Sequence, residues 1–110
     1  MNSVLVEQPV ALETELKIET LQLKKAALIL RAINHKLRQQ ILKLIHESGR
    51  LPVTEIYVKL RLEQSVASQH LAILRKAGFV ATIREGKFIF YSVDYNRLKD
   101  VHLFAQQLIK

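Results

Sequence analysis

The stretch Gln64–Val93, QSVASQHLAILRKAGFVATIREGKFIFYSV, decides how this chain folds. Ala67, Leu71 and Leu74 recur at the three-to-four-residue spacing that gathers side chains on one face of a helix. Ser65, Ser68, Gln69, Ala72, Arg75 and Lys76 take the other face. One face packs, and the other is free to touch a partner. Gly78 follows the last periodic residue, where glycine takes the left-handed cap conformation at least cost, and Arg75 and Lys76 put positive charge at the negative end of the helix dipole. The spacing therefore predicts a helix over 64–77. Serine and glutamine both donate and accept hydrogen bonds, which suits base edges in a major groove, although an ordinary solvated face has the same composition.

The flanks add context. Residues 54–61 read as a short helix with Ile56 and Leu60 inward, and Leu62, Glu63 and Gln64 form a turn of the length that joins the helices of a helix-turn-helix. Downstream, 80–84 and 87–93 are rich in β-branched and aromatic residues, with Glu85 and Gly86 predicted as the turn between two strands. Ile89, Tyr91 and Val93 give the second strand an inward face, which leaves Phe88 and Phe90 on the other. Arg84 and Lys87 flank the tip, within reach of phosphates or a minor groove, or simply as solubilising charge.

The run from Asn34 to Val93 resembles the ArsR (ArsR/SmtB) family of small winged-helix transcriptional regulators. The matching segments are NHKLRQQILKLI, VTEI, LEQSVASQHLAILRKAGFV and the REGKFIFYSV wing. The resemblance implies that Gln64, Ser65, Ser68 and Gln69 face DNA on the recognition helix. It also implies that Arg38, near the start of the second helix, supports the fold or contacts a phosphate. At the turn, where the family often carries glycine and then serine or threonine, this chain has Arg61 and Glu63. Either Arg61 takes a positive φ or the turn is built differently. By resemblance His70 is structural, and His35 and His46 carry no recognisable partner pattern.

The family's metal sites are not expected here. The chain has no cysteine, which excludes disulfides, thiolate metal sites and thiol switches. Leu51, Pro52 and Val53 stand where family members place metal-binding cysteines, and Tyr95 and Arg97 stand at the last-helix ligand positions. Asp100 and His102 diverge by about 200° on a helix and lack companions. No cofactor is expected. There is also no phosphate loop and no nucleophile with a base nearby in sequence, so an enzyme is not expected.

The whole chain of 110 residues carries a formal charge of +7. Residues 1–20 hold Glu7, Glu13, Glu15 and Glu19 against Lys17, a net of −3, so residues 21–110 carry +10. A basic body of that size favours a polyanion. No apolar run is long enough to span a bilayer and no signal-peptide pattern opens the chain, so a cytoplasmic protein with no membrane partner is expected.

The two ends argue for self-association. Leu12, Leu16, Leu23, Ala27 and Leu30 form a heptad-like stripe, and Ile18, Leu21 and Leu28 widen it beyond what one small core requires. The last helix, capped by Asp94, repeats the pattern with Leu98, Val101, Ala105 and Leu108, joined by Phe104 and Ile109. Two apolar helices at opposite ends predict a homodimer.

The expected fold is thus mainly α with a small β-hairpin, a winged helix-turn-helix. Helices are expected near 12–32, 35–47, 54–61, 64–77 and 95–109, with wing strands at 80–84 and 87–93. Residues 1–11 are expected to be a flexible segment and 12–110 a single DNA-binding and dimerisation domain. The expected function is a dimeric, sequence-specific repressor of transcription that reads an inverted repeat in double-stranded DNA, its effector unknown. The competing expectation is a winged-helix protein-interaction module with a basic face.

Overall fold

A computed structural model describes residues 16–110; the segment 1–11, and the 12–15 portion of the expected first helix, lie outside the described residues. In chain order the elements are α1 (Thr20–Ile33), α2 (Lys36–Ser48), β1 (Leu51–Pro52), α3 (Val53–Lys59), α4 (Gln64–Lys76), β2 (Val80–Glu85), β3 (Phe88–Val93) and α5 (Tyr95–Ile109). The strands form one antiparallel sheet in the order β1-β3-β2.

The core is small and central. Ile41 and Ile45 from α2, Ile56 from α3, Leu71 and Leu74 from α4, and Phe79 before β2 are fully buried. The apolar face read from Ala67, Leu71 and Leu74 is therefore the packed face of α4.

Two helix ends use the same device. After α4, Gly78 has φ 88°, and the N–H groups of Gly78 and Phe79 bond the carbonyls of Arg75 and Leu74 at 3.0 and 2.9 Å. This is a Schellman motif, and its apolar partners Leu74 and Phe79 are both fully buried. After α3, the N–H groups of Arg61 and Leu62 bond the carbonyls of Val58 and Tyr57 in the same pattern, with Arg61 at φ 56°. The turn between the helices thus keeps the left-handed residue with arginine in place of glycine. For that reason α3 stops at Lys59 rather than reaching residue 61.

Three further expectations need correction, and one short element carried no expectation. The helix expected from residue 12 begins only at Thr20, and residues 16–19 are not helical. Leu16 there is 88% exposed, so among the described residues it has no apolar surface to pack on, and packing is what holds short helices. The hairpin register pairs Glu85 with Phe88, so Glu85 ends β2 and the turn is Gly86–Lys87. Gly86 has φ 63° at the first central position, where a type II′ turn requires glycine. Ile89 was expected inward, but it is exposed, because the wing projects past the core and only Val93 of β3 is buried. Finally, Leu51 and Pro52 pair with Tyr91 and Phe90 as a short edge strand. An edge tolerates a proline because the missing N–H is not needed there.

Candidate nucleic-acid interface

On α4, Gln64, Ser65, Ser68 and Gln69 are all exposed, opposite a face whose Ala67, Leu71 and Leu74 have no accessible surface. At about 100° per residue these four side chains span an arc of roughly 140°. Ser65 and Ser68 lie near its middle, beside exposed Ala72. The arc presents two hydroxyls and two amides with no charged side chain on the first turns, a surface able to donate to and accept from base edges. Glu63 is the N-cap residue and its side chain makes no capping hydrogen bond.

The wing carries the two expected cations. Arg84 and Lys87 are exposed, Arg84 on β2 opposite Ile89 and Lys87 in the turn, with its Nζ 5.7 Å from the Phe88 ring centre. Arg50, which sequence reasoning missed, anchors the wing. It donates two hydrogen bonds to Glu85, at 2.8 and 2.9 Å, and its guanidinium lies 4.4 Å from the Phe90 ring centre. The hydrogen bond from Arg50 holds the Glu85 carboxyl below the usual carboxylate range. The pair is about half exposed, so it adds little to stability. Its consequence is local: the charge of a carboxylate beside the wing tip is balanced by Arg50.

Arg38 faces inward. Its Nη1 donates to the carbonyls of Ala32 and Arg31 at 3.2 and 3.3 Å, and its Nε donates to His70 Nδ1 at 3.1 Å. Gln39 caps Ile33 in the same way, at 2.9 Å. Arg38 therefore ties the end of α1 to α2 and to α4. His35 completes the cluster, with its ring centre 5.0 Å from that of His70.

This geometry gives His70 a pH signature. Nδ1 accepts from Arg38, so the ring is neutral with its proton on Nε2. Burial first, then the charge of Arg38, then His35, push its pKa below the ordinary histidine value. The unfolded chain takes up the proton first, near pH 6.5, so stability falls as pH drops through that value and levels off once folded His70 protonates. His70→Gln retains an acceptor for Arg38 and cannot titrate. Its melting temperature is expected to decline less than that of the parent between about pH 7.5 and 5.5, the range in which histidine changes charge. Equal declines would show that other groups set the acid response.

The last-helix positions serve packing. The Tyr95 hydroxyl and His46 Nδ1 form a 2.6 Å hydrogen bond between α5 and α2, a partner for His46 that no sequence pattern announced. Arg97 lies against Gly78, where an added Cβ would meet its Nε at 2.7 Å. Asp94 caps α5 through the Arg97 N–H at 3.1 Å. Among the described residues no three histidine or carboxylate groups gather at metal-binding distance.

Two helices joined by a tight turn, the second presenting a polar face and followed by a basic hairpin, define a winged helix-turn-helix DNA-binding protein. The sequence model described as "Bacterial regulatory protein, arsR family" matches residues 35–82. An uncharacterised HTH-type transcriptional regulator of Methanocaldococcus jannaschii is 38% identical over 85 residues, 77% of this chain and 96% of the relative. The transcriptional activator HlyU of Vibrio cholerae is 39% identical over 68% of each chain. Among solved structures, the transcriptional repressor PagR of Bacillus anthracis aligns with a TM-score of 0.61 at 30% identity, covering 78% of this chain and 99% of that one. The chain belongs to the ArsR family of transcriptional regulators and is a DNA-binding regulator rather than an enzyme. Among the described residues no helix is long and apolar enough to cross a membrane.

Proposed function

We propose that the protein acts in the cytoplasm as a homodimer that represses transcription by occupying an inverted-repeat operator. In this reading Gln64, Ser65, Ser68 and Gln69 read bases, Arg84 and Lys87 hold the backbone, and Arg38 fixes the recognition helix from behind. The observation that carries the proposal is the polar arc of α4, exposed along its length while the opposite face is fully buried. Dimerisation is supported by α5, a helix of 15 residues with no buried residue in the single chain. A symmetric pair sets two recognition helices about 34 Å apart, one helical turn of DNA. The names of similar proteins include both an activator and a repressor. Repression is favoured because nearly every described element serves the core, the DNA face or the outer helices, which suits simple occlusion of a promoter.

The test is an anisotropy titration against the duplex upstream of the protein's own gene and a scrambled duplex, at fixed near-physiological salt with chelator present. Preference of about a thousandfold or more is expected for the first. Gln69→Ala should lose about 1–3 kcal/mol on the operator and little on the scrambled duplex. Lys87→Ala should weaken both alike and lower the salt slope by about one. Equal losses on both duplexes for Gln69→Ala would remove it from the readout set. The exposed Ile83 and Phe88 on the outer wing face favour the second reading, an interaction module. That reading gains if neither duplex binds and an acidic protein copurifies in stoichiometric amount.

A further inference from the structure

The two flanks of α1 do different work. Ala26 and Leu30 face α5, together with Val101 and Phe104. Lys25, Leu28 and Ala32 lie on the other flank and face the C-terminal half of α4, where Ile73 and Lys76 complete a groove of about 400 Å³. Leu28, one of the surplus apolar residues of the first helix, lies on this second flank. Leu28 and Ile73 are exposed in the groove, Ile29 is half-buried and Ala32 is buried at its floor.

The volume falls in the range of small-molecule sites, and such sites pair apolar walls with a few polar groups that orient the ligand. Here the polar groups are Lys25 and Lys76, both exposed, and among the described residues no acidic side chain lines the groove. An apolar trough bounded by two cations from different helices complements an amphipathic monoanion.

We propose that this groove binds a small organic carboxylate with an apolar body, of the kind represented by a medium-chain fatty acid, its tail against Leu28, Ile29 and Ile73 and its carboxylate between Lys25 and Lys76. The recognition helix forms one wall, so a bound ligand bears on the same rigid element that carries Gln64 to Gln69. Regulation then follows if the dimer bound to DNA and the free dimer hold the ligand unequally. That regulatory consequence rests on the operator-binding reading above. Ligand binding itself does not, and it is measured without DNA.

The experiment is calorimetric titration of the full chain with decanoate below its micellar concentration, with decanol and decyltrimethylammonium as neutral and cationic counterparts of the same tail. Saturable binding of one decanoate per protomer is expected, at least tenfold tighter than either counterpart. Lys25→Gln should weaken decanoate alone. Leu28→Glu, at an exposed site, should abolish it by adding a carboxylate to the trough, with helical content unchanged by circular dichroism. Absence of saturable binding, equal affinity for decanol, or decanoate binding unaffected by Leu28→Glu would each overturn the proposal. Bound decanoate should then shift operator affinity by at least fivefold in either direction, and an unchanged operator affinity would overturn the regulatory consequence alone.

Discussion

Phe79→Ala is expected to destabilise the protein by about 3–5 kcal/mol, because it leaves a cavity in a core that cannot collapse around it. Phe79 is fully buried, and it joins three elements at once. Its N–H closes the Schellman motif of α4 on Leu74, its carbonyl accepts from the Asp94 N–H at 2.9 Å, and Val80 beside it opens β2. The backbone bonds survive the substitution, while the ring buried in the core does not. A domain of this size has about 5–15 kcal/mol of stability in total, so the loss is a large fraction of it. Urea unfolding should show a lower midpoint with little change in slope. Phe88→Ala on the exposed wing face should move the midpoint far less. A loss below about 1 kcal/mol for Phe79→Ala, the usual range for surface changes, would mean that the ring is not the keystone of this junction.

The same junction explains what could be read from the sequence. The α4 helix was legible because its periodicity, its basic last turn and Gly78 are all local signals, and the exposed Gln64, Ser65, Ser68 and Gln69 follow from that periodicity. Arg61 was a different case. Arginine has no preference for positive φ, so only the family pattern, with glycine expected there, pointed to the strained position it occupies. β1 was invisible, since two residues including a proline carry no strand signal. The start of α1 is not legible because the apolar stripe continues before Thr20 through Leu16 and Ile18, which are exposed and find no surface to pack on among the described residues. The Arg50–Glu85 clamp and the Arg38–His70 bond join residues 35 and 32 positions apart, and no local spacing encodes such meetings.

Phe104→Glu is expected to convert a dimer into a monomer and to reduce operator affinity by about a hundredfold or more, since the two half-sites would no longer be held by linked recognition helices. Phe104 is 48% exposed in the single chain, and Leu108 and Ile109 beyond it are more so. On α1 only Ala32 is buried among 14 residues. Helices of this length are marginal in water without a packed face, so the apolar surface of α1 and α5 needs a cover that the described residues of one chain do not supply. In the proposed homodimer a second copy would supply it twice over, because in a symmetric dimer every contact recurs. Glutamate at an exposed position leaves the single-chain core intact and puts two charges into the seam. Sedimentation equilibrium should therefore give twice the 12.7 kDa chain mass for the parent and the chain mass for the variant, with equal helical content. The salt slope supplies an independent reading, because it counts phosphates neutralised and should fall by about half when one protomer binds alone. A variant that stays dimeric but binds weakly would point to charge repulsion at the DNA, and a parent that binds the full operator as a monomer would remove the symmetric reading altogether.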